Sequence, residues 1–118
     1  MNVFFDVLDT LLTEDDAPRP HAREVILGLK EAGHGVYLWS SAGGAYAAEA
    51  AEVLGVADLI DDCFGKRHEP DVEVDFVVDD DASVVESYGG YRIVPFGGNP
   101  GDEELLRVPE AVDASSPL

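Results

Sequence analysis

The chain has 118 residues, 46 % hydrophobic and 8 % aromatic, which describes one globular domain with an ordinary core, not a disordered chain. Its 25 acidic residues against 7 Lys plus Arg give a formal net charge of −18; this disfavours nucleic acid and anionic membranes as partners, and a small anion would need a local lysine or metal. A lone cysteine, Cys63, excludes an intrachain disulfide, and no stretch approaches the roughly 18 apolar residues of a membrane helix, so a cytoplasmic protein is expected.

Taken in chain order, strands and helices alternate. Val3–Phe5 is an apolar run closed by Asp6 and reads as a buried strand. Thr13–Pro20 is polar and holds two prolines, so it reads as a loop, with Pro20 opening a helix. Ala22, Val25, Ile26 and Leu29 share one helical face, and Gly33 and Gly35 supply the stop. Val36–Trp39 is a second buried strand, followed by the small-residue turn Ser40-Ser41-Ala42-Gly43-Gly44 and an alanine-rich helix over Tyr46–Leu54. A short third strand is expected within Ala57–Phe64, a polar loop over Lys66–Asp71, and a fourth strand over Val74–Val78. Asp79-Asp80-Asp81 leads into a short helix, Ala82–Tyr88, capped by Asp81 or Ser83. Gly89-Gly90 turns into a fifth strand, Tyr91–Pro95. Residues 97–118 are rich in Gly, Pro and acid; a helical turn or two over Glu103–Val108, stopped by Pro109, and a frayed end are expected there.

This alternation implies a single α/β domain over residues 1–118, Rossmann-like and three-layered, with a five-stranded, mainly parallel sheet. Ligands of such sheets bind beyond the carboxyl ends of the strands. Asp6, Ser40, Asp79 and Asp80 stand there, and three of the four are carboxylates. Converging carboxylates either raise one another's pKa or take a cation, and a hard cation such as Mg²⁺ suits oxygen ligands. Lys66, in the loop before the fourth strand, is placed to hold a phosphate oxygen and Asp6 together, and the Ser40 hydroxyl can donate to the same phosphate.

Phe4-Phe5-Asp6-Val7-Leu8-Asp9-Thr10-Leu11 resembles the first motif of the haloacid dehalogenase superfamily. Val36–Ser40 resembles the second, Lys66 the third, and Val77-Val78-Asp79-Asp80 the fourth, in the family's order and over about two thirds of the chain. The resemblance implies a phosphohydrolase in which Asp6 is the nucleophile, forming an aspartyl-phosphate. It implies Mg²⁺ on Asp6, Asp80 with Asp79 beside it, and the backbone carbonyl of Leu8. Ser40 and Lys66 would stabilise the transferred phosphoryl group, and Thr10 and Ser41 would join them around the phosphorylated substrate.

Two departures qualify the activity. Leu8 stands where family phosphatases carry a second Asp as general acid and base, help worth about 10² to 10⁴ in rate. Asp9 follows in a position where the family often has Gly, a one-residue shift that points a side chain elsewhere. Neither the Thr10–Arg19 gap nor the Ser41–Gly65 gap holds a cap domain, so the site is open, suited to a phosphorylated macromolecule or closed by another subunit. A slow or specialised phosphohydrolase is therefore expected first. The rival is a catalytically impaired domain of the same fold serving as a binding or regulatory module; a receiver-like domain is a weaker third reading, because its acidic pair comes early. Each residue also has a plain structural use: Asp6 in a turn, Asp79 or Asp81 as a helix cap, Ser40 at a helix start. His21, His34 and His68 lack the mutual spacing of a zinc site, and Cys63 beside Phe64 reads as a small core residue.

Overall fold

The computed structural model describes residues 1–116; the end of the tail expected to fray, Pro117 and Leu118, lies outside them. Five strands form one sheet in the order β3-β2-β1-β4-β5, every pair parallel. They are β1 (Asn2–Asp6), β2 (Gly35–Ser40), β3 (Asp62–Gly65), β4 (Phe76–Asp79) and β5 (Gly90–Arg92). Helices α1 (Ala22–Glu31), α2 (Gly44–Val53), α3 (Ala82–Tyr88) and α4 (Val108–Ser115) flank it. The fold is thus α/β with a Rossmann-like parallel sheet. No helix among the described residues is long and apolar enough to cross a membrane.

Side-chain alternation along the strands sorts the two faces. Val3, Phe5, Val36, Leu38, Phe76 and Val78 form the main core with Ile26 and Leu29 of α1, Ala47 and Ala50 of α2, and Val108 and Val112 of α4. Phe4, Trp39 and Val77 face the other way, under Val84 and Val85 of the seven-residue α3 and Val72 and Val74 of the β3–β4 connection. Phe4 stacks on Tyr37 at 4.8 Å between ring centroids and meets Trp39 at 4.9 Å. The second face is therefore covered by one short helix and an extended segment, and aromatic packing fills the place of a helix.

Several boundaries differ from expectation, each for a local reason. Helix α1 begins at Ala22, not Pro20, because Arg19 turns inward and His21 takes a left-handed φ of 72° as the cap. Residues 57–60 form a turn, and the third strand starts only at Asp62. The Asp61 carboxylate accepts from the Val36 amide at 2.8 Å and from Lys30 at 2.6 Å, closing the chain there against β2. Strand β5 stops at Arg92, short of Pro95: the Val94 carbonyl is taken by Arg19 at 2.8 Å, and Pro95 has no amide to extend a ladder.

The C-terminal segment is more ordered than expected. A 3₁₀ turn over Glu104–Arg107 runs into α4, and Pro109 sits in that helix's first turn, where its missing amide needs no partner. The proline starts a helix there instead of stopping one. Leu105, Val108 and Val112 are fully buried, so this segment closes the main core. Gly90 is required for β5 to lie against β4, because a Cβ there would run into the Val77 carbonyl.

A carboxylate–lysine cluster at the strand ends

Beyond the sheet's topological switch point, β1 and β4 lie side by side and end in Asp6 and Asp79. Both carboxylates point to the thinly covered face. Lys66 follows β3, two strands away, and its amide is fixed to the Ser40 carbonyl at 3.0 Å. From there its side chain reaches across β2, with Nζ 5.8 Å from the centroid of the Trp39 ring. Nζ donates to Asp6 Oδ1 at 2.9 Å and to Asp79 Oδ2 at 2.8 Å. The remaining carboxylate oxygens are held too: Thr10 Oγ1 donates to Asp6 Oδ2 at 3.1 Å, and the Asp81 amide donates to Asp79 Oδ1 at 2.9 Å.

The electrostatics follow from this enclosure. Burial pushes the Asp6 carboxyl up to about 6; Lys66 opposes that and Asp79 adds to it. Asp79 is raised as well, again foremost by burial. Burial works against the charge on Lys66, but its bonds and charge contacts with Asp79 and Asp6 outweigh that and raise its pKa.

The turn after β1 exposes one acceptor. The amides of Thr10, Leu11 and Leu12 all converge on the Val7 carbonyl at 2.8–3.2 Å, and Asp9 N donates to the Leu12 carbonyl at 2.7 Å. Among the described residues these bonds leave the Leu8 carbonyl without an amide partner. Asp9 makes this turn possible with a left-handed φ of 62°, a conformation that Asp tolerates better than most residues, and its carbonyl accepts from Phe96 N.

Of the residues singled out in the sequence, Asp6, Leu8, Ser40, Ser41, Lys66, Asp79 and Asp80 line one cleft of about 510 Å³. Leu8 is 40 % exposed there. Ser40 is buried at the cleft floor, where its Oγ accepts from the Ala42 amide at 3.0 Å and keeps its own proton to donate. Thr10 is not at the cleft surface; it is fully buried behind Asp6 and positions it. Ligand atoms of Asp6, Asp79 and Asp80 lie within 4.8 Å of one another, and the three form a possible metal-binding group. Asp79, not Asp80, is the deeply buried partner of Lys66, while Asp80 joins from the partly exposed side. Asp81 caps α3, accepting from Ser83 N at 2.9 Å.

Two contributors were not visible in the sequence. Tyr46, from α2, forms part of the cleft wall, although the sequence marks it only as the start of the alanine-rich helix. Arg19 is fully buried: its guanidinium makes two bonds to Asp102, at 2.8 and 3.1 Å, and reaches the carbonyls of Thr10 at 3.2 Å and Val94 at 2.8 Å. It clamps the β1 turn to the segments that follow β5. The Pro18-Arg19-Pro20 string signals only a loop, because the partner carboxylate lies 83 residues away.

The cluster combines a buried carboxylate largely ionised at neutral pH, a cation bridging it to a second carboxylate, a hydroxyl donor and an open cleft. Such a set can bind a divalent cation and a phosphoryl group, and can offer a nucleophile to it. No protein-family model, curated protein or solved structure matches the chain.

Proposed function

We propose that the protein is a capless haloacid dehalogenase-like phosphohydrolase that uses Asp6 as its nucleophile and depends on Mg²⁺. The observation that carries this reading is Lys66 Nζ bridging Asp6 and Asp79 at the ends of β1 and β4. Asp6, Asp79, Asp80 and the Leu8 carbonyl offer the hard oxygen donors that Mg²⁺ prefers, and the raised carboxyls of Asp6 and Asp79 are what an added cation would relieve. When bound, Mg²⁺ supplies neutralisation of the phosphoryl charge.

With Asp6 pushed up to about 6, below neutral pH, the carboxylate is available for attack in its ionised form. Asp6 forms a new O–P bond as the bond from phosphorus to the leaving oxygen breaks. Lys66 and the Ser40 hydroxyl hold the phosphoryl oxygens, and Thr10 fixes the Asp6 carboxyl. Water then attacks the phosphorus of the aspartyl-phosphate, releasing inorganic phosphate and restoring Asp6. Leu8 gives the leaving oxygen no proton, so aryl and acyl phosphates are the favoured substrates and alkyl phosphates turn over slowly.

The test is hydrolysis of an aryl phosphate with Mg²⁺, beside an Asp6→Asn control and hydroxylamine trapping of the acyl-phosphate. Turnover that survives in the control would sink the nucleophile assignment. The exposed apolar Leu8 at the cleft favours a second reading, a binding or regulatory module of the same fold. Mg²⁺ binding without turnover of any activated phosphate would select it.

A further inference from the structure

Beside the cleft lies a second cavity of about 400 Å³ that shares Ser41 and Ala42 with it. Its wall continues through Gly43, Gly44 and Gly65 to Arg67 and His68, and it contains no carboxylate. That is unusual for a chain with 25 acidic residues. The cavity against the β3–β4 connection is walled by Glu69, Asp71 and Glu73, and the one beneath the β1 turn by Asp9, Glu14 and Asp15.

Arg67 is distinctive in a second way. Of the seven Lys and Arg residues, five pair with carboxylates: Arg19, Arg23, Lys30, Lys66 and Arg107. Among the described residues Arg67 and Arg92 have no such partner, and Arg67 is the one that lines a cavity next to the candidate site. A guanidinium kept clear of carboxylates in so acidic a molecule retains its full donor fork for an incoming anion. His68 adds a ring N–H donor in either neutral tautomer. The rest of the wall is Gly43, Gly44 and Gly65, which bring no side chain into it, so Arg67 and His68 are the groups that an anion would meet there.

We propose that this cavity is an anion subsite that takes a second phosphate or carboxylate group of the substrate, with Arg67 as its principal contact. As a substrate assignment it rests on the proposed function, since the shared Ser41–Ala42 wall places the second group on the far side of the cleft from Asp79. The expected substrate is thus a small phosphate ester or acyl phosphate with a second anionic group, and Arg67 sets that specificity.

The experiment has two arms. In the first, sulfate is titrated into the metal-free 118-residue protein and amide shifts are followed by NMR. Shifts at Gly43, Gly44 and Gly65 are expected, with affinity weakened about tenfold in Arg67→Ala, the scale of a lost charge-assisted hydrogen bond. Shifts confined to the surroundings of Lys66, or equal affinity in Arg67→Ala, would overturn the subsite. His68→Ala, expected to weaken sulfate by a smaller factor, guards against an effect peculiar to one variant. In the second arm, kcat/KM for 3-carboxyphenyl phosphate is compared with that for phenyl phosphate. A preference of about tenfold that vanishes in Arg67→Ala is expected. Equal values in the wild type would overturn the substrate assignment. If neither ester is hydrolysed, the phosphohydrolase reading fails, and the sulfate arm still decides the subsite.

Discussion

Replacing Asp6 by Asn is expected to make the metal-free protein more stable at about pH 8. The Asp6 carboxyl is pushed from its ordinary 3.8 to about 6, chiefly by burial. A carboxyl easier to protonate in the folded than in the unfolded chain contributes stability that is full below 3.8 and is lost as pH rises through about 6. The separation of those two values corresponds to about 3 kcal/mol, present at acid pH and absent above neutrality. Asn keeps the shape and the hydrogen bonds: its carbonyl can accept from Lys66, and the Thr10 hydroxyl can turn to accept from its amide. It also frees Lys66 to serve Asp79 alone. For a domain of this length the gain is on the order of 10 °C in Tm. The assay is thermal denaturation of both proteins in chelator across acid to mildly alkaline pH. The curves should meet near about pH 4 and separate above about pH 7, and added Mg²⁺ should raise the wild type but not the variant. A variant less stable than the wild type at alkaline pH, or a gap that does not change with pH, would refute the reasoning.

Arg19→Lys should destabilise the fold by about 3 kcal/mol in urea denaturation, because an ammonium cannot reproduce the two-pronged contact with Asp102 and also reach the Thr10 and Val94 carbonyls. Gly90→Ala should lower stability by about 3 kcal/mol or prevent folding, since its Cβ meets the Val77 carbonyl; a loss under about 1 kcal/mol would show that β5 can move away. Leu8→Asp should raise turnover of alkyl phosphates about 10²-fold while changing aryl phosphates little, and an unchanged ratio between the two substrates would count against the mechanism.

The parallel sheet and its helices are legible in the sequence because buried strands and one-sided helices leave strong periodic signals. Val3–Phe5, Val36–Trp39 and the Ala22–Leu29 stripe all fall in the elements expected. Residues just past strand ends are legible for the same reason, which is how Asp6, Ser40 and Asp79 come to notice before any geometry. What local pattern cannot supply is pairing at a distance. The tail reads as irregular because Gly, Pro and acid dominate it, yet Leu105, Val108 and Val112 are held by a core that lies elsewhere in the chain. The resemblance puts Asp80 first and Asp79 beside it; a strand's two-residue alternation, fixed by the register of β4 on β1, is what turns Asp79 inward to Lys66. Arg19 is invisible for the reverse reason, since a charged residue between prolines suggests solvent and only the fold brings Asp102 to it.

The chain has a single tryptophan, and it lies beneath the amine that ties the two carboxylates together. Its indole N–H is buried and has no hydrogen-bond partner among the described residues. Its emission is sensitive to the charge 5.8 Å above the ring. Whatever draws Lys66 toward a phosphoryl oxygen, or drives it aside in favour of a cation, moves a positive charge across an indole face and shifts the emission wavelength. The cluster carries its own optical gauge, readable in unlabelled protein, and its occupancy can be followed by colour before any product is made.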